Sequence, residues 1–193
     1  DGRTRGCGTG VRARRVGCRR AERGRLATRS DARAQRSGDR IAGGQAQPPA
    51  IPARPDAEYR ALVTRFVVPD YNGQPRPHVV FETARGPIEM EIFIGDAPFG
   101  AEYLFDVIEK GEVAGTAFGR VVPNFVDQQN AIRQTGRLRD EVNRRGLLAN
   151  NLSWASAGLD TGRPGYTLGT TPQPHNEGNF TTLGRIVKGM DAM

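Results

Sequence analysis

Cysteine is scarce in this chain of 193 residues, and the two that occur, Cys7 and Cys18, lie near its start. A disulfide there would constrain no hydrophobic core, and two cysteines without a nearby histidine make a poor metal site. The sequence also lacks any run of about 18 apolar residues, the length that a membrane span requires. It therefore predicts no bound metal and no membrane-spanning segment.

Lysine is absent from residues 1–40, where 13 arginines and four acidic residues give a net charge of +9. The remaining residues hold 15 basic and 17 acidic side chains and are close to neutral. Their charge gives no reason to expect a nucleic-acid partner. The arginine-rich segment could attract nucleic acid electrostatically, but residues 1–50 contain no aromatic side chain on which bases could stack.

The composition divides the chain into three parts. Residues 1–43 have almost no apolar periodicity and are expected to form a disordered, arginine-rich arm. Residues 44–77 are expected to be a proline-rich linker with a short helix at 57–67, which Pro69 ends. Residues 78–193 carry the regular apolar patterns of an ordered domain.

Short alternating segments dominate this ordered part. Alternation predicts a hairpin from the strands at 79–83 and 88–94, followed by a helix at 98–110. Further strands are predicted at 116–122, 124–129, 152–157, 166–169 and 180–187, with a polar loop at 130–146. Many short strands with few helices favour a mainly β fold, a closed barrel or a sandwich with one helix covering an end.

Arg120 stands alone among apolar residues in the run Phe118-Gly119-Arg120-Val121-Val122-Pro123-Asn124-Phe125. Such an arginine is either a surface charge on an edge strand or a hydrogen-bond donor beside an apolar pocket. The second interpretation implies a chemistry. A pocket that holds a proline ring next to a fixed donor can twist an X–Pro amide.

Several motifs occur in the order and nearly the spacing seen in cyclophilins. They are Gly-Thr-x-Phe-x-Arg-Val-x-Pro-x-Phe, Asp-Glu-x-Asn, Leu-Ser-x-Ala-x-Ala-Gly, Thr-Pro-x-Pro-His and Leu-Gly-Arg-Ile-Val-x-Gly-Met-Asp. The resemblance covers residues 78–193 and implies an eight-stranded antiparallel β-barrel with capping helices. The family's second helix and last strand would follow Met193, so we expect them to be missing from this chain, which we interpret as a fragment. Residues 57–86 also resemble the start of bacterial cyclophilin domains that follow helical repeats.

The resemblance implies a peptidyl-prolyl cis–trans isomerase that acts on X–Pro bonds and assists protein folding, without a cofactor or a metal. It implies that Arg120 donates to the prolyl nitrogen, that Phe125 forms the floor of the proline pocket and that Gln128 binds the substrate backbone. The implied substrate-binding positions are Val126, Ala155, Ser156, Ala157, Tyr166, Thr167, His175, Asn176 and Phe180. The expected partners are proline-containing polypeptides, the domain is expected to be monomeric, and a bacterial cytoplasm or periplasm is the expected compartment.

The chain departs from the family pattern on one wall of the implied pocket. Gly165 and Thr167 replace a glutamine and a phenylalanine, Asn176 replaces a leucine, and Phe180 replaces a histidine or tyrosine. Each CH₂ group that a proline ring buries contributes about 0.8 kcal/mol, so losing apolar wall is expected to cost one to a few kcal/mol of binding. We therefore expect a slow isomerase.

Three functions stay open from the sequence. The first is an isomerase of reduced activity, the second is a peptide-binding module without catalysis, and the third is a basic nucleic-acid-binding arm joined to a structural barrel. Simpler roles also exist for single residues. Arg120 could be a surface charge, Phe125 a core residue, Gln128 an ordinary strand residue and His175 a turn residue.

Overall fold

The computed structural model describes residues 51, 53–129, 138–157, 160–162 and 165–193, together with the backbone of residues 12–16. The rest of the predicted arm, the start of the predicted linker and the first half of the 130–146 loop lie outside the described residues.

A continuous helical run, here called the lead-in helix, precedes the sheet. It consists of α1 (Asp56–Leu62), a π-helical turn (Val63–Val67) and α2 (Val68–Tyr71). Pro69 does not end this run as predicted, because it lies in the first turn of α2, where a helix does not need the missing N–H group. The run ends instead at Asn72, just before Gly73, whose φ of 74° is easily adopted by glycine.

The remaining helix and strands are short. Helix α3 covers Pro98–Glu109, close to its prediction. The strands are β1 (Arg12–Val16), β2 (His78–Thr83), β3 (Gly86–Ile92), β4 (Phe118–Val122), β5 (Val126–Gln129), β6 (Asn151–Trp154), β7 (Tyr166–Gly169) and β8 (Thr182–Lys188). Single 3₁₀ turns lie at Pro174–Asn176 and Met190–Ala192. Within the described ranges, no helix combines the length and the hydropathy that crossing a bilayer requires.

The eight strands form one antiparallel sheet in the order β1-β2-β3-β8-β6-β7-β5-β4. The predicted mainly β, antiparallel fold is confirmed. In the described part of the chain, β1 and β4 have one neighbouring strand each and so form the two edges.

Strand β1 belongs to the segment that was expected to be disordered, and that expectation is wrong for residues 12–16. These residues pair with β2 from Arg12 opposite Glu82 to Val16 opposite His78. The unpaired backbone N–H and C=O groups of a sheet edge can bind any extended segment, whatever its side chains. For this reason a pattern of side chains could not reveal the strand.

The hydrophobic core lies between α3 and the sheet. Its fully buried apolar side chains include those of Phe81, Ile88, Met90, Ile92, Leu104, Leu152, Leu168 and Leu183. Leu62 and Phe66 of the lead-in helix belong to the same core, and the rings of Phe66 and Phe105 lie 5.9 Å apart. The core therefore begins upstream of residue 78, in a segment that the sequence assigned to a linker.

Ion pairs fix the lead-in helix to the rest of the fold. The Arg76 guanidinium contacts Asp70 at 2.6 Å and Glu91 at 3.3 Å, so it joins the end of α2 to β3. These carboxylates raise the pKa of Arg76 despite its partial burial. Upstream, Arg54 contacts Glu102 of α3 at 2.6 Å. The segment is thus docked by charges at both of its ends as well as by its apolar residues.

Glu141 connects the loop after the undescribed segment to the start of α3. Its carboxylate accepts hydrogen bonds from the backbone N–H groups of Phe99 at 2.9 Å and Gly100 at 2.7 Å. These N–H groups have no partner within the helix, and Ala97, at the N-cap position, makes no side-chain bond to them. Burial raises the pKa of Glu141 to about 7.

Candidate active site

Four polar residues from four neighbouring strands lie side by side on one face of the sheet. Ser153 of β6 pairs with Thr167 of β7, Thr167 pairs with Gln128 of β5, and Gln128 pairs with Arg120 of β4. Residues directly opposite each other on adjacent strands project to the same face. We call this set the transverse row. Its side chains are connected at both ends, with 2.7 Å between the Ser153 and Thr167 hydroxyl oxygens and 3.2 Å from Arg120 Nη1 to Gln128 Oε1.

Arg120 is the exposed end of the row, on the edge strand β4. The pairing of β4 with β5 shifts register between Phe118 and Arg120, so an irregularity at Gly119 places Arg120 opposite Gln128. Its guanidinium carbon lies 5.6 Å from the centroid of the Phe125 ring. Arg120 therefore combines a hydrogen bond to a neutral amide with a cation–π contact.

Phe125 lies at the end of the turn between β4 and β5, where it is half-buried. Asn124 occupies the left-handed region with φ of 58°, and the Phe125 N–H group donates to the Val122 carbonyl at 3.1 Å. The His175 ring stacks on the Phe125 ring, with centroids 6.0 Å apart and planes inclined by 23°. The structure thus brings Arg120, Phe125, Gln128 and His175 together.

Tyr166 does not belong to this surface, although the sequence placed it among the substrate-binding residues. Its side chain is fully buried, and its ring packs against those of Phe81 and Phe118 at 4.8 and 6.1 Å. Burial also raises the pKa of its hydroxyl, which lacks a hydrogen-bond partner in the described structure. Successive residues of a strand point to opposite faces, so Tyr166 enters the core while Thr167 joins the row. Val126 is also buried, with 4% of its surface exposed.

The predicted rim follows β6 directly. The N–H group of Ala155 donates to the Gly165 carbonyl at 2.9 Å, and that of Ala157 donates to Thr161 Oγ1 at 2.8 Å. The Ser156 hydroxyl is buried and has no partner among the described residues. The backbone of this rim is therefore held by local hydrogen bonds.

For Asn176 and Phe180 the structure shows a contact within the loop and a neighbouring hollow, and their role in substrate binding stays a prediction. The Asn176 amide donates to Gln173 Oε1 at 3.1 Å and so turns toward its own loop. Phe180 lines a hollow of about 220 Å³. The other residues around that hollow are Asn143, Arg144, Gly146, Leu147, Glu177, Gly178 and Thr182.

Gln173 contacts the site but was missed by the sequence reasoning. Its side chain is 5% exposed, and its Nε2 donates to the Phe125 carbonyl at 3.2 Å. A polar residue between Pro172 and Pro174 was the available signal, because such a residue in a turn often binds backbone groups.

Asp127 is a buried charge on the face of β5 opposite to Gln128. It is 6% exposed and pairs with Leu168 of β7. Desolvation raises its pKa, and the charge of Arg85 opposes this effect. Because its side chain is turned away from the transverse row, it is not part of the candidate site.

The comparisons with known proteins agree on one family. Residues 78–193 match the family model described as cyclophilin type peptidyl-prolyl cis-trans isomerase/CLD. A peptidyl-prolyl cis-trans isomerase of Synechococcus elongatus is 33% identical over 112 residues, which cover 55% of this chain and 77% of that protein. Peptidyl-prolyl cis-trans isomerase B of Bacillus subtilis is 31% identical over 112 residues, which cover 54% of this chain and 78% of that protein.

A solved structure supports the same fold. It is a cyclophilin-type peptidyl-prolyl cis-trans isomerase of Cryptosporidium parvum, determined in the presence of the dipeptide Ala-Pro, with a TM-score of 0.55 and 19% identity. The match covers 60% of this chain and 81% of that chain. With a family match over more than half of its length, this chain belongs to the cyclophilin-type peptidyl-prolyl cis-trans isomerases.

Proposed function

We propose that this cyclophilin isomerises X–Pro bonds at the exposed end of the transverse row. Arg120 is the catalytic donor, Phe125 forms the floor on which the proline ring packs, and Gln128 binds the substrate backbone. The observation that carries the assignment is the position of the Arg120 guanidinium, which contacts both the Gln128 amide and the Phe125 ring.

The reaction requires that amide conjugation be weakened. Rotation about an X–Pro bond has a barrier of roughly 18–20 kcal/mol, and it needs no nucleophile. A site accelerates rotation if it binds the twisted amide better than the planar one. The prolyl nitrogen regains a lone pair when the amide twists, so a donor aimed at that nitrogen favours the transition state.

An arginine suits this role because its guanidinium stays charged and carries five N–H donors in a fixed plane. The hydrogen bond from Arg120 Nη1 to Gln128 Oε1, at 3.2 Å, uses only one of these donors. Gln128 also limits the positions that the Arg120 side chain can take. This restriction lowers the entropy that Arg120 would lose on engaging the substrate.

The wall beside the floor explains why we propose a slow enzyme. Thr167 is smaller than the family's phenylalanine, so a proline ring buries less apolar surface against it. The Thr167 hydroxyl is hydrogen-bonded to the Ser153 hydroxyl, with 2.7 Å between the two oxygens, so the smaller wall does not leave this hydroxyl unpaired. We expect weaker substrate binding and the same reaction.

The proposed substrates are proline-containing polypeptides, and the proposed role is assistance in protein folding. Three features support a peptide ligand: the half-buried ring of Phe125, the exposed guanidinium beside it, and the rim of Ala155, Ser156 and Ala157. The fold that this chain shares with the Cryptosporidium parvum protein, which was solved with Ala-Pro, is consistent with such a ligand.

Exchange NMR on a short X–Pro peptide tests the proposal. The protein should increase the cis–trans exchange rate, and Arg120→Ala should remove most of that increase. Arg60→Ala is the matched control, because it removes an exposed arginine from α1 and should leave the rate unchanged. Peptide binding without faster exchange would instead identify a non-catalytic binding module, and equal rates for wild type and Arg120→Ala would refute the role of Arg120.

A further inference from the structure

The loop after β7 contacts the turn that carries Phe125 through hydrogen bonds and a ring contact. This loop, residues 170–176, is here called the clamp loop. The Thr170 N–H group and Gln173 Nε2 both donate to the Phe125 carbonyl, at 3.0 and 3.2 Å. The Thr171 hydroxyl donates to the Asn124 carbonyl at 2.7 Å. The same loop supplies His175, which stacks on the Phe125 ring.

Gln173 is the buried centre of the clamp loop. Its Oε1 accepts a bond from Asn176 Nδ2 at 3.1 Å, which orients the amide so that Nε2 points at the Phe125 carbonyl. Its backbone N–H group donates to the Leu147 carbonyl at 2.7 Å. A buried amide with both polar atoms bonded is costly to reorient, because any other orientation leaves a donor or acceptor unpaired.

The turn that Gln173 contacts needs support from outside. Asn124 has a φ of 58°, a conformation that is uncommon for residues other than glycine, although asparagine tolerates it better than most. The turn itself supplies one bond, from the Phe125 N–H group to the Val122 carbonyl. The contacts from the clamp loop therefore add to the strand pairing of Val126 in fixing where the Phe125 ring lies.

We propose that Gln173 is a positioning residue for isomerisation, with Asn176 as its orienting partner. The relay from the Asn176 amide through Gln173 to the Phe125 carbonyl holds the Phe125 ring against Arg120 and His175. This inference rests on the proposed function of Arg120 and Phe125. It gives Asn176 a role of its own, whereas the resemblance implied a substrate-binding position at which an apolar wall is lost.

The consequence for catalysis follows from geometry. A proline ring packed on Phe125 places its nitrogen at a fixed distance from Arg120. If the ring shifts, the substrate still binds to an aromatic surface, but the donor no longer meets the twisted nitrogen. Misplacement by about 1 Å can cost up to roughly 100-fold in rate. Loss of Gln173 should therefore lower kcat more than it raises KM.

The experiment compares Gln173→Met, Asn176→Leu and the double variant in the full chain. Gln173→Met keeps the length of the side chain but removes the donor, and we expect kcat to fall about tenfold with KM changed less than about twofold. Asn176→Leu should lower kcat less. The double variant should be no slower than Gln173→Met, because both substitutions break one relay.

Asn143→Leu is the matched control. It removes a comparable side-chain bond, from Asn143 Nδ2 to the Thr182 carbonyl at 3.0 Å, and should lower Tm without changing kcat at temperatures where the protein is folded. Thr171→Val is a milder second probe if Gln173→Met does not fold, and it should lower kcat measurably. NMR shifts of the Phe125 ring protons should change in Gln173→Met and stay unchanged in Asn143→Leu.

The outcomes separate this inference from the proposed function. Wild-type kcat and unchanged Phe125 shifts in Gln173→Met would overturn it, as would fully additive effects of the two relay substitutions. A wild-type protein without isomerase activity, or an Arg120→Ala variant with full activity, would refute the proposed function instead. In that case altered Phe125 shifts in Gln173→Met would still show that Gln173 positions the ring.

Discussion

The guanidinium of Arg120 lies over the ring of Phe125, with 5.6 Å between the guanidinium carbon and the ring centroid. The two groups that an isomerase needs, a donor for the prolyl nitrogen and an apolar surface for the proline ring, are thus in contact before any substrate binds. An exposed cation–π contact contributes about 0.5–1 kcal/mol, enough to bias the arginine toward this position without locking it there.

Replacing Arg120 by lysine tests whether charge alone is sufficient. Lysine keeps the charge but loses the planar set of donors, so it cannot bond Gln128 and the substrate in the same geometry. We expect Arg120→Lys to reduce kcat/KM by at least about tenfold in the exchange assay, a loss of roughly 1.4 kcal/mol of transition-state stabilisation. A lysine variant with wild-type kcat/KM would mean that a positive charge is enough.

Restoring an aromatic wall tests the origin of the expected weak binding. Thr167→Phe adds apolar surface beside the floor, but it leaves the Ser153 hydroxyl without its 2.7 Å partner, so the test uses Thr167→Phe together with Ser153→Ala. We expect KM to fall about tenfold, because the added ring lets the substrate proline bury apolar surface equivalent to one or two more CH₂ groups. The control is Thr167→Val together with Ser153→Ala, in which the side chain at position 167 keeps its volume. The KM of this variant should stay within about twofold of wild type. If the KM of the variant with Thr167→Phe and Ser153→Ala were higher than that of wild type, residue 167 would not border the proline pocket.

The sequence predicted much of the fold, and each failure has a physical reason. Strand β7 was predicted at its observed bounds, Tyr166–Gly169. Pro69 was misjudged because a π-helical turn lets the helix restart around it. Strand β1 depends on backbone pairing with a sheet edge, which side-chain patterns do not encode.

The candidate site was predictable in its residues but not in its arrangement. The resemblance implied Arg120, Phe125 and Gln128, and the register of two strand pairs then placed Arg120 and Gln128 in one row with Thr167. Period-two alternation would have excluded Tyr166, since its neighbour Thr167 was assigned to the pocket. Gln173 acts through a bond between residues 48 positions apart, and the two flanking prolines indicate a backbone contact without identifying Phe125 as its partner.

Glu141 makes stability depend on pH. Its pKa in the folded protein is about 7, above its ordinary value of 4.5, so folding favours the protonated form. The stability that it contributes is fully present below pH 4.5 and is lost as the pH rises through about 7, with a slope of up to about 1.4 kcal/mol per pH unit. Urea unfolding from pH 4 to 8 should show this decline.

Glu141→Gln should flatten the decline, because the amide does not titrate in this range. The exposed carboxylate Glu177 provides the control, and Glu177→Gln should retain the wild-type dependence on pH. Identical pH profiles for wild type and Glu141→Gln would rule out this carboxylate as the source.

Phe66 tests whether the lead-in helix is part of the domain. Its side chain is 2% exposed and packs on Phe105, so Phe66→Ala should lower the free energy of unfolding by about 3–5 kcal/mol in one cooperative transition. Val63→Ala, on the exposed side of the same run, should cost less than about 1 kcal/mol. If denaturant unfolding of Phe66→Ala matched wild type, the lead-in helix would be an independent appendage.

The position of Arg120 on an edge strand has a further consequence for the enzyme when it is warmed. In the described sheet β4 pairs only with β5, and its residues Arg120 to Val122 lie outside the hydrophobic core, so this end can fray while the core between α3 and the central strands stays packed. Fraying would carry Arg120 away from Phe125 while most of the molecule stays native. The catalytic rate should therefore collapse at a lower temperature than the circular dichroism signal does, and the working range of the enzyme is set by one strand and not by the stability of the whole fold.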